Sequence, residues 1–334
     1  MVDSAGGRRP IAFLVAVLAT LALTALFGLV VWQPALFTKL VGEETGGHIS
    51  MHFREPQHRI HDLAFASLLG TAVVGMLAQL RAPSKNVAGQ AMALIPFVGL
   101  VFTLAVTNAS VLSIPWVMIG AATFLAATLH PAGPGFFRSL SGSRVNRAML
   151  ALVVVAAAPL LAFASTNIGL QRSGPSEHAL LGHYGYLAAF GLTVLGVALL
   201  ATLRPDGWRL TAWVAGFLPA VFGLASLAFP DVDSRLEPLW ALAAIGWGAV
   251  FIAAAELTRR RMRISGIVDD RRQVDASDSL GAGPDRGPGA RTPLGVYVAG
   301  IVVIAVVALF VVQHLIGGGL GGLHTRRLGH NEPT

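Results

Sequence analysis

The chain contains no cysteine, and only 12% of its 334 residues are charged. The first absence excludes disulfides, thiolate metal sites, iron–sulfur clusters and thioether-linked haem. The second is half of the roughly 25% that a soluble domain carries. Lysine is scarce too: the 24 basic residues are 22 arginines and two lysines. No Walker sequence, Gly-x-Ser-x-Gly or dinucleotide fingerprint occurs, so those nucleotide and hydrolase sites have no anchor. No charged relay crosses the apolar blocks, as proton-coupled pumps and transporters usually require.

What is present is apolar. Hydrophobic residues make up 54% of the chain. They fall in blocks close to the roughly 20 residues needed to cross a bilayer. The pattern predicts an all-α polytopic membrane protein with about nine transmembrane helices, near residues 11–31, 61–80, 89–106, 111–130, 148–165, 178–203, 210–229, 238–257 and 294–314. Residues 259–293 mix Asp, Arg, Gly, Pro and Ser and read as a basic, disordered linker between the eighth and ninth spans. Residues 315–334 form a Gly- and His-containing tail.

The net charge of +7 sits mostly in short loops and has a topological meaning. With the N-terminus in the cytoplasm and nine alternating spans, inside segments hold 17 of the 24 basic residues. The positive-inside rule supports that orientation, in a plasma membrane, with the C-terminus extracytoplasmic. Trp32, Trp116, Trp208, Trp213 and Trp240 fall near span ends, as an aromatic belt requires. The bilayer is the expected partner, and nucleic acid is not.

The sequence also repeats. Arg81 and Arg204, Pro96 and Pro219, and Pro115 and Pro238 are each 123 residues apart. Ala78-x-Leu80-Arg81 matches Ala201-x-Leu203-Arg204 at the same offset. This predicts two four-helix repeats, residues 1–130 and 131–258, followed by the linker and the ninth helix. Small residues such as Gly70, Gly75, Gly191 and Gly196 are expected to permit close helix packing.

Histidine carries the chemistry. Nine of the ten histidines fall on or near the predicted outer side, His130 being the exception. His48, His52, His58 and His61 lie in or beside the long loop 32–60, and a helix starting at Pro56 would put His58 and His61 on one face. His178 and His183 follow Pro175 at the matching place in the second repeat. They are five residues apart, about 140° around one helix, so they do not share a face. Neutral imidazole suits copper, zinc or iron and also ligates haem. Glu55 and Glu177 are neighbouring carboxylates that could ligate, and with Asp62 could also hold a histidine tautomer. Met51 would add a soft ligand for copper. The candidate cofactor ligands are therefore His58, His61, His178 and His183, with His48, His52, Glu55 and Glu177 as further metal ligands. Glu256 is expected to pair with Arg259 and Arg260 one turn on.

Two four-helix repeats with histidines near the outer surface resemble membrane haem proteins of the haem A synthase type, over roughly residues 11–257. The resemblance implies haem chemistry. The chain departs where spans four and eight begin, with Pro115-Trp116 and Pro238-Leu239-Trp240 in place of a second histidine. The sequence thus predicts an extracytoplasmic histidine site for a transition metal or haem, with a redox or metal-handling role. An electron-transfer or metal-delivery partner would act on that side. Two other readings stand beside it: a small-solute permease with its pathway at the repeat interface, and a non-catalytic membrane assembly partner.

Overall fold

A computed structural model describes residues 8–32, 58–107, 114–133, 136, 145–173, 176–232 and 234–278. Among them the chain is helical throughout, with no strand. A bilayer leaves an isolated backbone group no water to bond, so helices that satisfy their own amides are the favoured way across. The helices are α1 (Arg8–Trp32), α2 (Arg59–Gln79), α3 (Val87–Thr107), α4 (Ile114–Thr128), α5 (Arg147–Arg172), the one-turn α6 (Glu177–Leu180), α7 (His183–Leu203), α8 (Trp208–Ala228) and α9 (Pro238–Asp278). All but α4 and α6 are long and apolar enough to cross a membrane, which makes seven candidate spans among the described residues. The fourth predicted span is a shorter apolar helix of 15 residues. The predicted ninth span lies outside the described residues, as do His314, His324 and His330.

Each set of four long helices closes into a ring of neighbours. α1 packs on α2 and α4, and α3 packs on α2 and α4. In the second set α5 packs on α7 and α9, and α8 packs on α7 and α9. The rings meet where α7 lies against α2 and α3, and α8 against the same two. Those four central helices each bury more than half of their length, whereas α1, α5 and α9 bury less than a third. Side chains such as Val154, Val155, Leu239 and Leu242 are accordingly exposed on the periphery, where lipid would meet them. The core at the junction holds Leu68, Ala72, Phe97, Leu187, Val194, Leu218 and Phe222.

Small residues set the closest approaches. A Cβ on Gly248 of α9 would fall on the carbonyl oxygen of Gly216 in α8, and one on Gly223 would meet the carbonyl of Ala241. Gly75 faces Gly89 across α2 and α3 in the same way, and Gly191 and Gly196 lie against Phe163 and Ile95. Gly70 differs from the expectation: nothing stands within 4 Å of its Cβ position, so it makes no close contact. Pro96 in α3 and Pro219 in α8 are both buried inside their helices, each removing one backbone donor from the ladder.

Two segments depart from the sequence reading. The backbone of α9 continues to Asp278, so residues 259–278 of the expected linker are helical. Between Leu257 and Asp278 there is one glycine and no proline, and Asp269 with Arg272 and Arg271 with Asp275 have helix-stabilising spacings. Residues 279–293 lie outside the described residues. Glu256, in turn, takes its main partner from α8. Arg209 donates to it through Nε at 2.6 Å and Nη2 at 3.1 Å, Trp213 Nε1 donates at 2.8 Å, and Arg259 stands 3.8 Å away.

The tight α8–α9 seam yields a testable consequence. Gly248→Ala forces a methyl onto a neighbouring backbone and should cost about 1–3 kcal/mol. Gly246→Ala, where nothing lies within 4 Å, should leave stability unchanged or slightly raised. Thermal unfolding of the detergent-solubilised variants reads the difference, and equal midpoints would contradict this packing.

Candidate functional site

Four histidines from two separate stretches converge at one end of the junction. The described part of α2 runs from Arg59, and His58 is its N-cap residue with φ −88° and ψ −6°. His61 follows on the first turn, and both rings are buried. Position 56 lies outside the described residues.

The second pair meets through a break in the helix, not through helical spacing. α6 ends at Leu180, Gly182 takes a left-handed φ of 75°, and α7 restarts at His183. An L side chain rarely adopts that φ, which is why glycine serves there. Ser176 caps α6 by accepting from Ala179 N at 3.2 Å. The buried Gln171 at the end of α5 holds both sides of the break. Its Nε2 donates to Ala179 O at 2.6 Å, and its Oε1 accepts from Gly185 N at 2.9 Å. The break removes the 140° offset and brings the His178 and His183 rings to 5.4 Å.

The four rings form a compact group. His58 lies 5.1 Å from His178 and 4.8 Å from His183, centroid to centroid. His61 lies 4.9 Å from His178 and 4.8 Å from His183, stacked on the latter at 25°. The His58–His61 separation is 6.3 Å. One ring nitrogen each from His58, His178 and His183 lie within 4.8 Å of one another, close enough to hold a metal ion together. Each half of the chain contributes two of the four imidazoles.

Aromatic side chains stand around the group. The Tyr184 ring stands 5.9 Å from both His61 and His178. One turn further into the bundle, Phe65, Trp116 and Tyr186 pack on one another at 5.1–5.9 Å and close off the floor. Arg59 turns away, its guanidinium 4.8 Å over the Phe229 ring. Asp62 is buried beside His61 in sequence. Ser234, from the loop between α8 and α9, reaches His61 Nε2 at 2.7 Å.

The predicted site residues therefore divide. His58, His61, His178 and His183 come together. Glu177 is the first residue of α6, one position before His178. His48, His52, Glu55 and Met51 lie outside the described residues. Sequence reasoning passed over Gln171, Ser234 and Tyr184. Tyr184 directly follows a candidate ligand, and that adjacency was a usable signal. Ser234 had none, being 173 residues from the ring it meets.

His130 sits at the other end of the bundle. Its Nε2 lies 3.3 Å from Gln79 Oε1, and its ring packs edge-on against Phe13 and Phe136. Burial lowers this imidazole from the ordinary 6.5 to about 4, against an opposing hydrogen bond with the Pro83 backbone. Above pH 6.5 the ring is neutral folded or unfolded, and its ionisation contributes nothing. Between 6.5 and about 4 the unfolded chain binds a proton that the folded chain refuses, so stability falls as pH falls. Unfolding measured across that window should show a loss that His130→Gln reduces, and an unchanged slope in the variant would refute this account.

No protein-family model, curated protein or solved structure matches this chain.

Proposed function

We propose that this chain is a multi-pass membrane protein that binds a transition-metal ion between His58, His61, His178 and His183, for a redox or metal-handling role at the extracytoplasmic face. The observation that carries the reading is the spacing of the rings. A zinc–nitrogen bond of about 2.0–2.1 Å puts a ring centroid about 3.2 Å from the ion, and four tetrahedral centroids then lie about 5.2 Å apart. The six separations here run from 4.8 to 6.3 Å. Borderline imidazole ligands without thiolate suit zinc, copper or iron.

The same compactness favours a bare ion over haem. A haem between two axial imidazoles needs the whole plane between them clear. Here, for any chosen pair, the other two rings stand within a few ångströms of that plane. The permease reading finds little support among the described residues. Buried hydroxyls at Thr20, Thr24, Thr71, Thr103, Thr123, Thr193, Thr202 and Ser226 each donate to the carbonyl four residues earlier in their own helix.

We further infer that the chain is a duplicated four-helix unit and that the site lies between the copies. The matching rings of neighbours, the equal 21-residue lengths of α2, α3, α7 and α8, and the equivalent prolines support this.

Two measurements test the proposal. Purified protein should contain stoichiometric metal by elemental analysis and show no Soret band. His58→Ala, His178→Ala and His183→Ala should each lose most of that metal, because the remaining rings cannot complete the shell. His130→Gln should keep it. Metal-free wild-type protein, or equal retention in all variants, would remove the site, and a Soret band would restore haem. Orientation is accessible because the chain lacks cysteine. Leu180→Cys, exposed beside the histidines, should react with an impermeant maleimide on intact cells. Ser84→Cys, at the other end, should react only after permeabilisation. The reverse labelling would place the site in the cytoplasm.

A further inference from the structure

His61 is held from outside the cluster. Its Nε2 faces Ser234 Oγ at 2.7 Å. Its Nδ1 is buried and makes no hydrogen bond among the described residues. A buried polar atom without a partner costs free energy on the order of 1–3 kcal/mol. The ring itself is 1% exposed, so water does not reach that nitrogen from the surface.

Ser234 is well placed to fix this ring. Its loop is tied at several points: Val232 is buried, Arg235 N donates to Val232 O at 3.2 Å, and Leu236 N donates to Ser226 Oγ at 3.1 Å. Ser226 is in turn anchored to Phe222 O within α8. A hydroxyl both donates and accepts, but a neutral imidazole has one protonated nitrogen. When Ser234 accepts from Nε2–H, the lone pair of His61 stands on Nδ1, on the ring edge away from Ser234. That tautomer is the one a metal needs, and fixing it from behind is the usual role of an outer partner.

We propose that Ser234 is a positioning residue that holds His61 in the Nε2–H form, so that on metal binding His61 Nδ1 joins, as a fourth ligand, the nitrogens of His58, His178 and His183 that already lie together without it. This rests on the metal-site reading above and goes beyond it, because it decides between two kinds of centre. Three histidines alone leave an open position where water or substrate binds. Four close the shell, which suits an ion that is held or changes oxidation state without exchanging ligands. A loop between α8 and α9 thereby controls a ring on α2.

Cobalt(II) substitution separates the outcomes, since its visible spectrum reports geometry and ligand exchange. Cobalt-loaded wild-type protein should show a tetrahedral spectrum that azide leaves unchanged. Ser234→Ala should bind cobalt roughly 10–100-fold more weakly and acquire a spectral response to azide. His61→Ala should bind cobalt more weakly still, with the azide response in whatever is bound, and Ser234→Thr, which keeps the hydroxyl, should behave as wild type. An azide response in the wild-type protein would overturn the closed shell. Wild-type affinity and spectrum in Ser234→Ala would overturn the role of Ser234 while leaving the metal site standing. Failure of wild-type protein to take up cobalt would remove the site itself, and this inference with it.

Discussion

The packing of α2 against α7 is the constraint from which the rest of the site follows. Both helices begin at the same end of the bundle, and each begins on or beside a histidine. A ring at a helix start has no preceding turn to lean on, so its position is set by what lies across the interface. Here that is a second helix start of the same kind. The apolar floor of Phe65, Trp116 and Tyr186 stops the rings from sinking further into the bundle. Gln171 and Ser234 hold them from the sides. Displacing α2 along α7 by one turn, about 5.4 Å, would separate the two histidine pairs completely. The glycine contacts that fix helix separation elsewhere therefore matter to the site indirectly, through the register of the two rings of helices.

Much of the fold was legible because it depends on composition and length. Apolar blocks close to bilayer thickness give helices whatever their partners, and α2, α3 and α8 start and stop within two residues of the predicted bounds. The histidines were legible for a different reason: polar rings at the mouths of apolar helices stand out against their surroundings. What could not be read was set by contacts distant in sequence. The continuous span expected over 178–203 hid the Gly182 break, although that break is what lets His178 join His183. The pairing of Glu256 with Arg209 required knowing that α8 and α9 are neighbours. Helical continuation past Arg263 went unseen because charge and mixed composition suggested disorder, while charge pairs at helical spacing lay in the same stretch.

Charge decides what the cluster can be. Rings whose centroids are about 5 Å apart repel strongly if several are protonated, since two unit charges at that distance interact by about 3 kcal/mol even at an effective dielectric near 20. A neutral cluster avoids the repulsion but leaves buried nitrogen lone pairs to be satisfied. Hydrogen bonding can satisfy some of them, as Ser234 does for one nitrogen of His61. A metal cation uses several lone pairs at once and supplies the positive charge that the rings would otherwise take up as protons. A proton-sensing cluster has the opposite requirement: it needs acceptors or carboxylates turned toward the rings to stabilise the charged state. Asp62 and Glu177 are the carboxylates nearest the rings in sequence. Arg59 is stacked over Phe229, away from the group.

The distribution of ligands between the halves has a further consequence. If both histidine pairs belonged to one half, that half could bind an ion alone and the other would be dispensable. With two from each, neither half completes a shell, and binding couples the packing of one ring of helices to the other. On the proposed reading, metal affinity would report on the α2–α7 interface, and stabilisation by the ion would be stabilisation of that interface. The central helices suit this role. They are joined by apolar contacts such as Leu68, Leu187 and Leu218, which resist separation without fixing register. Apolar surfaces in lipid lack the hydrophobic drive that aligns them in water, so directional contacts carry more of the specificity. An ion shared by four imidazoles, as proposed, would be such a contact.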